Sequence, residues 1–340
     1  MRTIYRPLAA LIAGALILQS PVALAQASAA QAAGKTRPSP LAPGEIVAQS
    51  PKRDWVAIPA SDLLVMDLAP DAKGKPRRVV IQLMPAPFSR GWVGNIRKLA
   101  AARFWDGLSI NRVQDNYVVQ WGDADAEDKA KARALPSGLT VIPESDYITN
   151  DPSLFRLSHM IIDHKPDLLA DPYWRGRGYT FVNGMPIAID NIRKSGLPDP
   201  NPPAAWPVHC YGMVGVGRDL SPNTGTGAEL YVVIGHAPRH LDRNIALVGR
   251  VIEGIEHLSS LPRGTGGLGF YTAAEERTGI TAIRIGTDVA DLPTYEYLST
   301  ESESFGRYAD ARANRRDDFF IRPAGGADIC NIPVPVRRTQ

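Results

Sequence analysis

Short runs of branched and aromatic residues, each closed off by turn residues, constrain this chain more than any other feature of its sequence. Leu63-Leu64-Val65-Met66 and Val79-Val80-Ile81-Gln82-Leu83 flank Pro70-Asp71-Ala72-Lys73-Gly74, the pattern of a β-hairpin. Residues 108–120 read as strand after the Asp106-Gly107 turn. Met213-Val214-Gly215-Val216 and residues 230–234 read as strands on either side of a Gly/Asn/Thr-rich loop at 221–227, and residues 245–251 and 281–285 follow. Helical spacing occurs in only two places within this stretch. Trp92, Val93, Ile96, Leu99 and Ala100 share one face, with Arg97, Lys98 and Arg103 on the other; Ile255, Leu258 and Leu261 mark a shorter helix stopped by Pro262. Many strands with two short helices predict a mainly β fold, a closed antiparallel barrel capped by the helices.

The flanks are different in character. Arg2 and Arg6, the apolar run 8–18 and Ala23-Leu24-Ala25 have the layout of an export signal, with the cut expected after Ala25. The run is shorter than the roughly 20 apolar residues a spanning helix needs. The expected location is therefore periplasmic or secreted, with no stable membrane insertion. Residues 26–53, rich in Ala and Pro, read as a disordered linker, with order expected from near Trp55. The domain proper is expected over 54–290. It carries a long insertion at about 124–206, where a hairpin is expected around Asn183-Gly184. Residues 291–340 form a polar extension expected to wrap the surface or stay partly disordered.

Formal charge is +3, and loss of the two N-terminal arginines leaves about +1 (3 − 2), which gives no electrostatic case for a nucleic-acid partner. Cys210 and Cys330 are the only cysteines. In an oxidising compartment they can pair or remain free thiols, and the sequence leaves both open.

Four stretches, in order, resemble the cyclophilin-type peptidyl-prolyl cis-trans isomerase family. Ala86-Pro87 with Val93-Gly94-Asn95-Ile96 is similar to its first-helix motif. Residues 107–113 with 117–123 resemble the stretch holding the family's arginine and glutamine. Residues 212–218 stand in the place of its G-x-L-S-M-A-R. His240-Leu241-Asp242-Arg243-Asn244, followed by Val248-Gly249-Arg250-Val251 and Glu253-Gly254, resembles its last motif. The resemblance covers roughly 62–123 and 211–287, and leaves out the insertion and the tail.

The resemblance implies a cyclophilin-like barrel that isomerises X-Pro bonds without a cofactor or metal, with proline-containing polypeptides as partners. Arg112 takes the place of the catalytic arginine. Gln120 matches the glutamine that orients it. Tyr117, Val118, Tyr231 and Leu241 fall at the proline pocket, beside His240 and Ile245, and Gly217 and Arg218 fall where backbone groups pair with bound peptide. Several positions depart from the pattern. Tyr117 and Tyr231 replace phenylalanines, Val118 a methionine, Ile245 a histidine or tyrosine, Asn111 a histidine and Trp121 a glycine. Glu229 replaces a glutamine, and its carboxylate is expected near the Arg112 guanidinium, ordering it or competing with substrate for it. These departures keep two alternatives in view: a peptide-binding or chaperone module with little turnover, and an interaction protein working through its insertion.

Other chemistries have less support. Gly264-Thr265-Gly266-Gly267-Leu268-Gly269 fits G-x-G-x-x-G, but it follows a helix and Pro262 where a dinucleotide fingerprint follows a strand. His159 and His164, and His236 and His240, lack an obvious third metal ligand. No G-x-S-x-G is present to suggest a serine hydrolase.

Overall fold

The computed structural model describes residues 40–151, 178–190 and 204–339. The export-signal reading of residues 1–25 and the His159/His164 pair lie outside them. In chain order the strands are β1 (Trp55–Ile58), β2 (Leu63–Leu68), β3 (Arg77–Leu83), β4 (Ser109–Val113), β5 (Val118–Gly122), β6 (Gly178–Val182) and β7 (Met185–Ile189). They continue with β8 (Ala205–Pro207), β9 (Met213–Val216), β10 (Leu230–Val233), β11 (Leu247–Glu253), β12 (Thr278–Ile285), β13 (Tyr295–Leu298) and β14 (Val336–Arg338).

Eight of these close a barrel in the order β10-β5-β4-β12-β2-β3-β11-β9, every paired neighbour antiparallel. The stretch read as one strand at 108–120 is two, β4 and β5. They are joined at Gln114–Tyr117, where Asn116 takes a positive φ of 50° that asparagine tolerates well. Alternate residues fill the interior: Leu64 and Met66, Val79 and Ile81, Val119 and Trp121, Leu230 and Val232. Helix α2 (Arg90–Ala101) packs Trp92, Ile96 and Leu99 into this core, and the Trp92 indole N–H donates to the Thr224 and Gly225 carbonyls at 3.1 Å. The second helix is shorter than its spacing suggests. It is a single turn, α3 (Glu256–Ser259), bracketed by Gly254 at φ 83° and by Pro262.

Within the insertion, β6 and β7 form the expected hairpin, with Asn183 and Gly184 both at positive φ in a two-residue turn, and β8 adds a third strand.

Both flanks of the barrel are more ordered than their composition suggests. Residues 43–48, expected in a disordered linker, form helix α1 (Pro43–Ala48), which starts on a proline at its first position. Ile46 of α1 is buried against α4 (Glu303–Ala313), in a second core with Phe305, Tyr308, Tyr295 and Trp55. The tail is likewise folded and does not merely wrap the surface. Ser302 caps α4 by accepting from the Phe305 N–H at 3.1 Å, and β13 pairs with both β1 and β14 in a three-stranded sheet. Cys210 and Cys330 are joined in a disulfide across 120 residues, which settles the choice the sequence left open. Among the described residues no helix is long and apolar enough to cross a membrane.

Candidate active site

The outer wall of β4, β5 and β10 carries the predicted residues, and a β-bulge decides which way Arg112 faces. Ile110 pairs with Trp121 and both are buried in the barrel, whereas Arg112 pairs with Gln120 and Val113 with Val119. The register shifts between Ile110 and Arg112. Side chains two apart on a regular strand share a face, so without the extra residue Arg112 would point inward with Ile110. The bulge turns it out. Asn111, at the shift, is buried and its amide donates to the Gly122 carbonyl at 2.9 Å.

Gln120 lies opposite Tyr231 across the β5–β10 ladder, and Val118 opposite Val233. Arg112, Gln120 and Tyr231 thus form one row across three strands, with Val118 and Val233 in the next. Val118, Tyr231 and Val233 are buried as a cluster separate from the barrel core, and half-buried Tyr117, Leu241 and Ile245 pack on it. Leu241 and Ile245 arrive on a tight turn, closed by the Ile245 N–H donating to the Leu241 carbonyl at 3.1 Å. The result is a small apolar cleft. Exposed His240 stacks on its Tyr117 rim, ring centroids 6.5 Å apart.

The Arg112 guanidinium stands at the edge of this cleft, its central carbon 5.6 Å from the Tyr117 ring centroid and 5.3 Å from that of Phe270. Its Nε donates to the Leu268 carbonyl at 2.7 Å, one Nη to Gln120 Oε1 at 3.3 Å and the other to Gln114 Oε1. Among the described residues no carboxylate pairs with it. Burial pushes its pKa below the ordinary arginine value, yet a guanidinium stays charged at any working pH. A half-buried cation without a counter-ion, beside an apolar cleft, is available to a ligand.

The glycine-rich stretch that mimics a dinucleotide fingerprint has a local task here. Gly264 N–H donates to the Val113 carbonyl at 2.9 Å, and Gly269, at φ 81°, packs on the Val113 and Gln114 backbone. That loop carries the Leu268 carbonyl and the Phe270 ring to Arg112. Sequence reasoning missed this role, because the spacing of the loop from Arg112 carries no motif.

Glu229 is not where the sequence reading put it. Its carboxyl lies over Gly122 and takes hydrogen bonds from the Gln120 amide and the Asp123 N–H, not from Arg112. Gln120 separates the two, its oxygen facing Arg112 and its amide facing Glu229. Burial pushes the Glu229 carboxyl up to about 8, with the Asp123 and Glu127 carboxylates adding to the rise and its two hydrogen bonds opposing it. A folded-state value above the ordinary 4.5 means that the stability of the protonated form is complete below about 4.5 and is lost as pH rises through about 8. Glu229→Gln should therefore leave the melting temperature unchanged near pH 4 and raise it progressively up to pH 8–9. A thermal-unfolding series across that range checks this, and a constant offset at every pH would count against it.

Gly217 is also less free than its position implies. Its N–H is already given to the Glu229 carbonyl at 2.9 Å, so it is not open to a peptide. The Arg218 side chain is tied to the Asn244 and Asp219 carbonyls at 2.9 and 2.7 Å, whereas its backbone N–H and carbonyl have no partner among the described residues. Beyond Gln120 a cavity of about 470 Å³ opens, bordered by Asn111, Gly217, Arg218, Glu229 and Phe270.

His209 is the residue that sequence reasoning did not single out. It is fully buried, with Nε2 2.8 Å from the Tyr231 hydroxyl and Nδ1 2.8 Å from Asp242 Oδ1. Arg239 Nε completes the chain, 2.7 Å from Asp242 Oδ2. The tip of the Tyr231 ring occupies the space a side chain at Gly215 would need. Gly215→Ala should therefore displace that ring and lower affinity for a proline peptide at least about tenfold, by the cost of a misfilled core site. A binding titration checks this, and undiminished affinity would show the cleft tolerates the shift. Among the described residues no three metal-ligating side chains cluster, and His236 and His240 remain a pair.

The family model for cyclophilin type peptidyl-prolyl cis-trans isomerase/CLD matches residues 77–281. Among solved structures, the cyclophilin AquaCyp293 from Hirschia baltica is similar over 84% of this chain and 94% of its own, at 20% identity and a TM-score of 0.60. A cyclophilin type peptidyl-prolyl cis-trans isomerase from Cryptosporidium parvum, solved in the presence of the dipeptide Ala-Pro, aligns over 65% of this chain and 98% of its own, at 11% identity and a TM-score of 0.34. No curated protein matches the chain.

Proposed function

The chain belongs to the cyclophilin-type peptidyl-prolyl cis-trans isomerase family, and from that we propose that it isomerises X-Pro bonds of exported polypeptides at Arg112. Membership makes it an isomerase whose ligands are proline-containing peptides. The observation that carries the rest is a guanidinium with no counter-ion among the described residues, at the edge of the apolar cleft of Tyr117, Val118, Tyr231, Leu241 and Ile245.

The peptide bond resists rotation because the nitrogen lone pair is delocalised into the carbonyl, a barrier of about 18–20 kcal/mol. An X-Pro bond has nearly balanced cis and trans forms but interconverts in tens to hundreds of seconds. No covalent step is needed to speed it. The proline ring seats in the cleft, and the guanidinium donates to the proline nitrogen as its lone pair localises in the twisted state. That hydrogen bond is stronger in the transition state than in either ground state, and only such an interaction accelerates the rotation. Gln120 and the Leu268 carbonyl hold the guanidinium in place, so little reorganisation remains at the moment of twisting. The unpartnered backbone of Arg218 suits the peptide main chain.

Export is supported by the signal-like N-terminus and by the Cys210–Cys330 disulfide, a bond that persists in oxidising compartments. Isomerisation of a tetrapeptide with a central Ala-Pro bond tests the activity. The full chain should accelerate the cis-to-trans phase well above buffer. A rate equal to buffer, with the peptide still bound, would leave a peptide-holding module in its place.

A further inference from the structure

Beneath the cleft runs a line of buried polar groups that the isomerisation chemistry does not use. Tyr231, His209 and Asp242 are all at least nine-tenths buried, and each makes its hydrogen bond to the next at 2.8 Å. The direction of the chain follows from its acidic end. Burial alone would raise the Asp242 pKa, but the His209 hydrogen bond and the Arg239 charge outweigh it and hold the carboxyl below its ordinary value. An ionised carboxylate only accepts, so His209 Nδ1 must carry a proton, and in the neutral imidazole Nε2 is then the acceptor. The Tyr231 hydroxyl then donates to Nε2. Asp242 Oδ1 also accepts from the His209 backbone N–H at 3.0 Å, fixing both the main chain and the ring of that residue. The imidazole and phenol ring planes lie 10° from parallel, their centroids 6.3 Å apart.

We propose that His209 and Asp242 are positioning residues that lock the Tyr231 ring as the floor of the proline seat. This rests on the reading of the cleft given above. A phenylalanine at this position would be held by packing alone. The tyrosine is held at both ends, by its strand and by its hydroxyl. The segment after Val208, outside the barrel ladder, thereby fixes the shape of a ligand site built on β5 and β10. Asp242 is one residue from Leu241, so the same carboxylate also anchors the turn that supplies the wall of the cleft.

Affinity for an Ala-Ala-Pro-Phe tetrapeptide, titrated against the full chain, reads the seat without relying on turnover. His209→Leu and Tyr231→Phe should each weaken binding about fivefold, the value of one buried hydrogen bond. His209→Gln, whose amide oxygen can stand where Nε2 stood, should recover most of the loss. In a Tyr231→Phe background His209→Leu should change affinity by less than about twofold, since coupled sites are not additive. Equal losses in both backgrounds would mean that His209 supports only the fold. No loss in either would mean that the ring needs no tether. Either result overturns the proposal and leaves the cleft standing. Absence of binding by the unaltered protein would overturn the reading of the cleft and the proposal with it. Nitrogen chemical shifts of His209 in the unaltered chain give a measurement that needs no folded variant. Protonated Nδ1 with bare Nε2 is expected, and the opposite tautomer overturns the proposed chain.

Discussion

Replacing Arg112 with alanine is expected to lower kcat/KM for X-Pro isomerisation by about 10²–10³-fold, the usual cost of removing one transition-state donor from a preorganised site. The melting temperature should stay within a few degrees. The reasons for this split are structural. No described carboxylate depends on the guanidinium, so its loss strands no buried charge, and the released Leu268 carbonyl, Gln114 and Gln120 lie where water can reach them. Arg112→Lys should be intermediate. It keeps the charge but loses the fork that holds Leu268 and Gln120 while still pointing a donor at the cleft. Glu229→Gln, which alters the neighbour of Gln120, should cost far less activity than either. An Arg112→Ala protein with a wild-type rate would remove the mechanistic assignment and leave the barrel and its family unaffected.

Loss of the disulfide should produce the largest change in stability. Cys210 and Cys330 close a loop of 120 residues, and replacing both with serine is expected to cost about 4–5 kcal/mol in the chain-entropy model. Native contacts at the crosslink argue against full compensation. Ile329 is buried in the barrel core beside Cys210, and Asp328 accepts from the Cys330 N–H at 2.8 Å while lying 3.8 Å from Arg239. These contacts are local and weak without the bond that brings the tail to them. Thermal unfolding of the double variant, compared with the oxidised parent, measures the cost. A shift of only a degree or two would show that α4 and β14 hold the tail without the bond. Because Arg239 belongs to the line that ends at Tyr231, the double variant should also bind proline peptides more weakly.

The barrel and most of the cleft were legible because their signals are local. The apolar runs at 63–66, 79–83 and 213–216 lie in strands, as does all but the last residue of 230–234, and Tyr117, Val118, Tyr231, Leu241 and Ile245 meet in one cluster. Arg112 was legible from its motif, but its outward direction was not. That depends on one extra residue at Asn111, and a bulge leaves no trace in a pattern of alternating residues. Glu229 was misplaced for a related reason. It and Arg112 are near one another in the ladder, but Gln120 stands between them, and the order of three side chains on neighbouring strands is not a property of any one segment.

His209 was missed because its partners lie 22 and 33 residues away in sequence, and a single histidine beside a cysteine fits no spacing rule. The tail was misread through composition. Its charged residues suggest a polar strap, yet Ser302 followed by Phe305 and Tyr308 is a helix start with a buried face, and that signal was available. Residues 43–48 were misread in the same way, since Pro43 and Glu45 are helix-start residues inside an otherwise linker-like composition.

The small sheet and the barrel seam have a practical consequence for anyone dissecting this chain. The family match begins at residue 77, yet β2, at Leu63–Leu68, is the stave between β3 and β12. A fragment trimmed to the matched stretch would come apart along that seam and present two raw ladder edges, to which strands from other molecules readily add. Homology boundaries and folding boundaries do not coincide here. The smallest piece able to stand alone must begin at or before Leu63, and one cut at residue 77 should be recovered chiefly as aggregate.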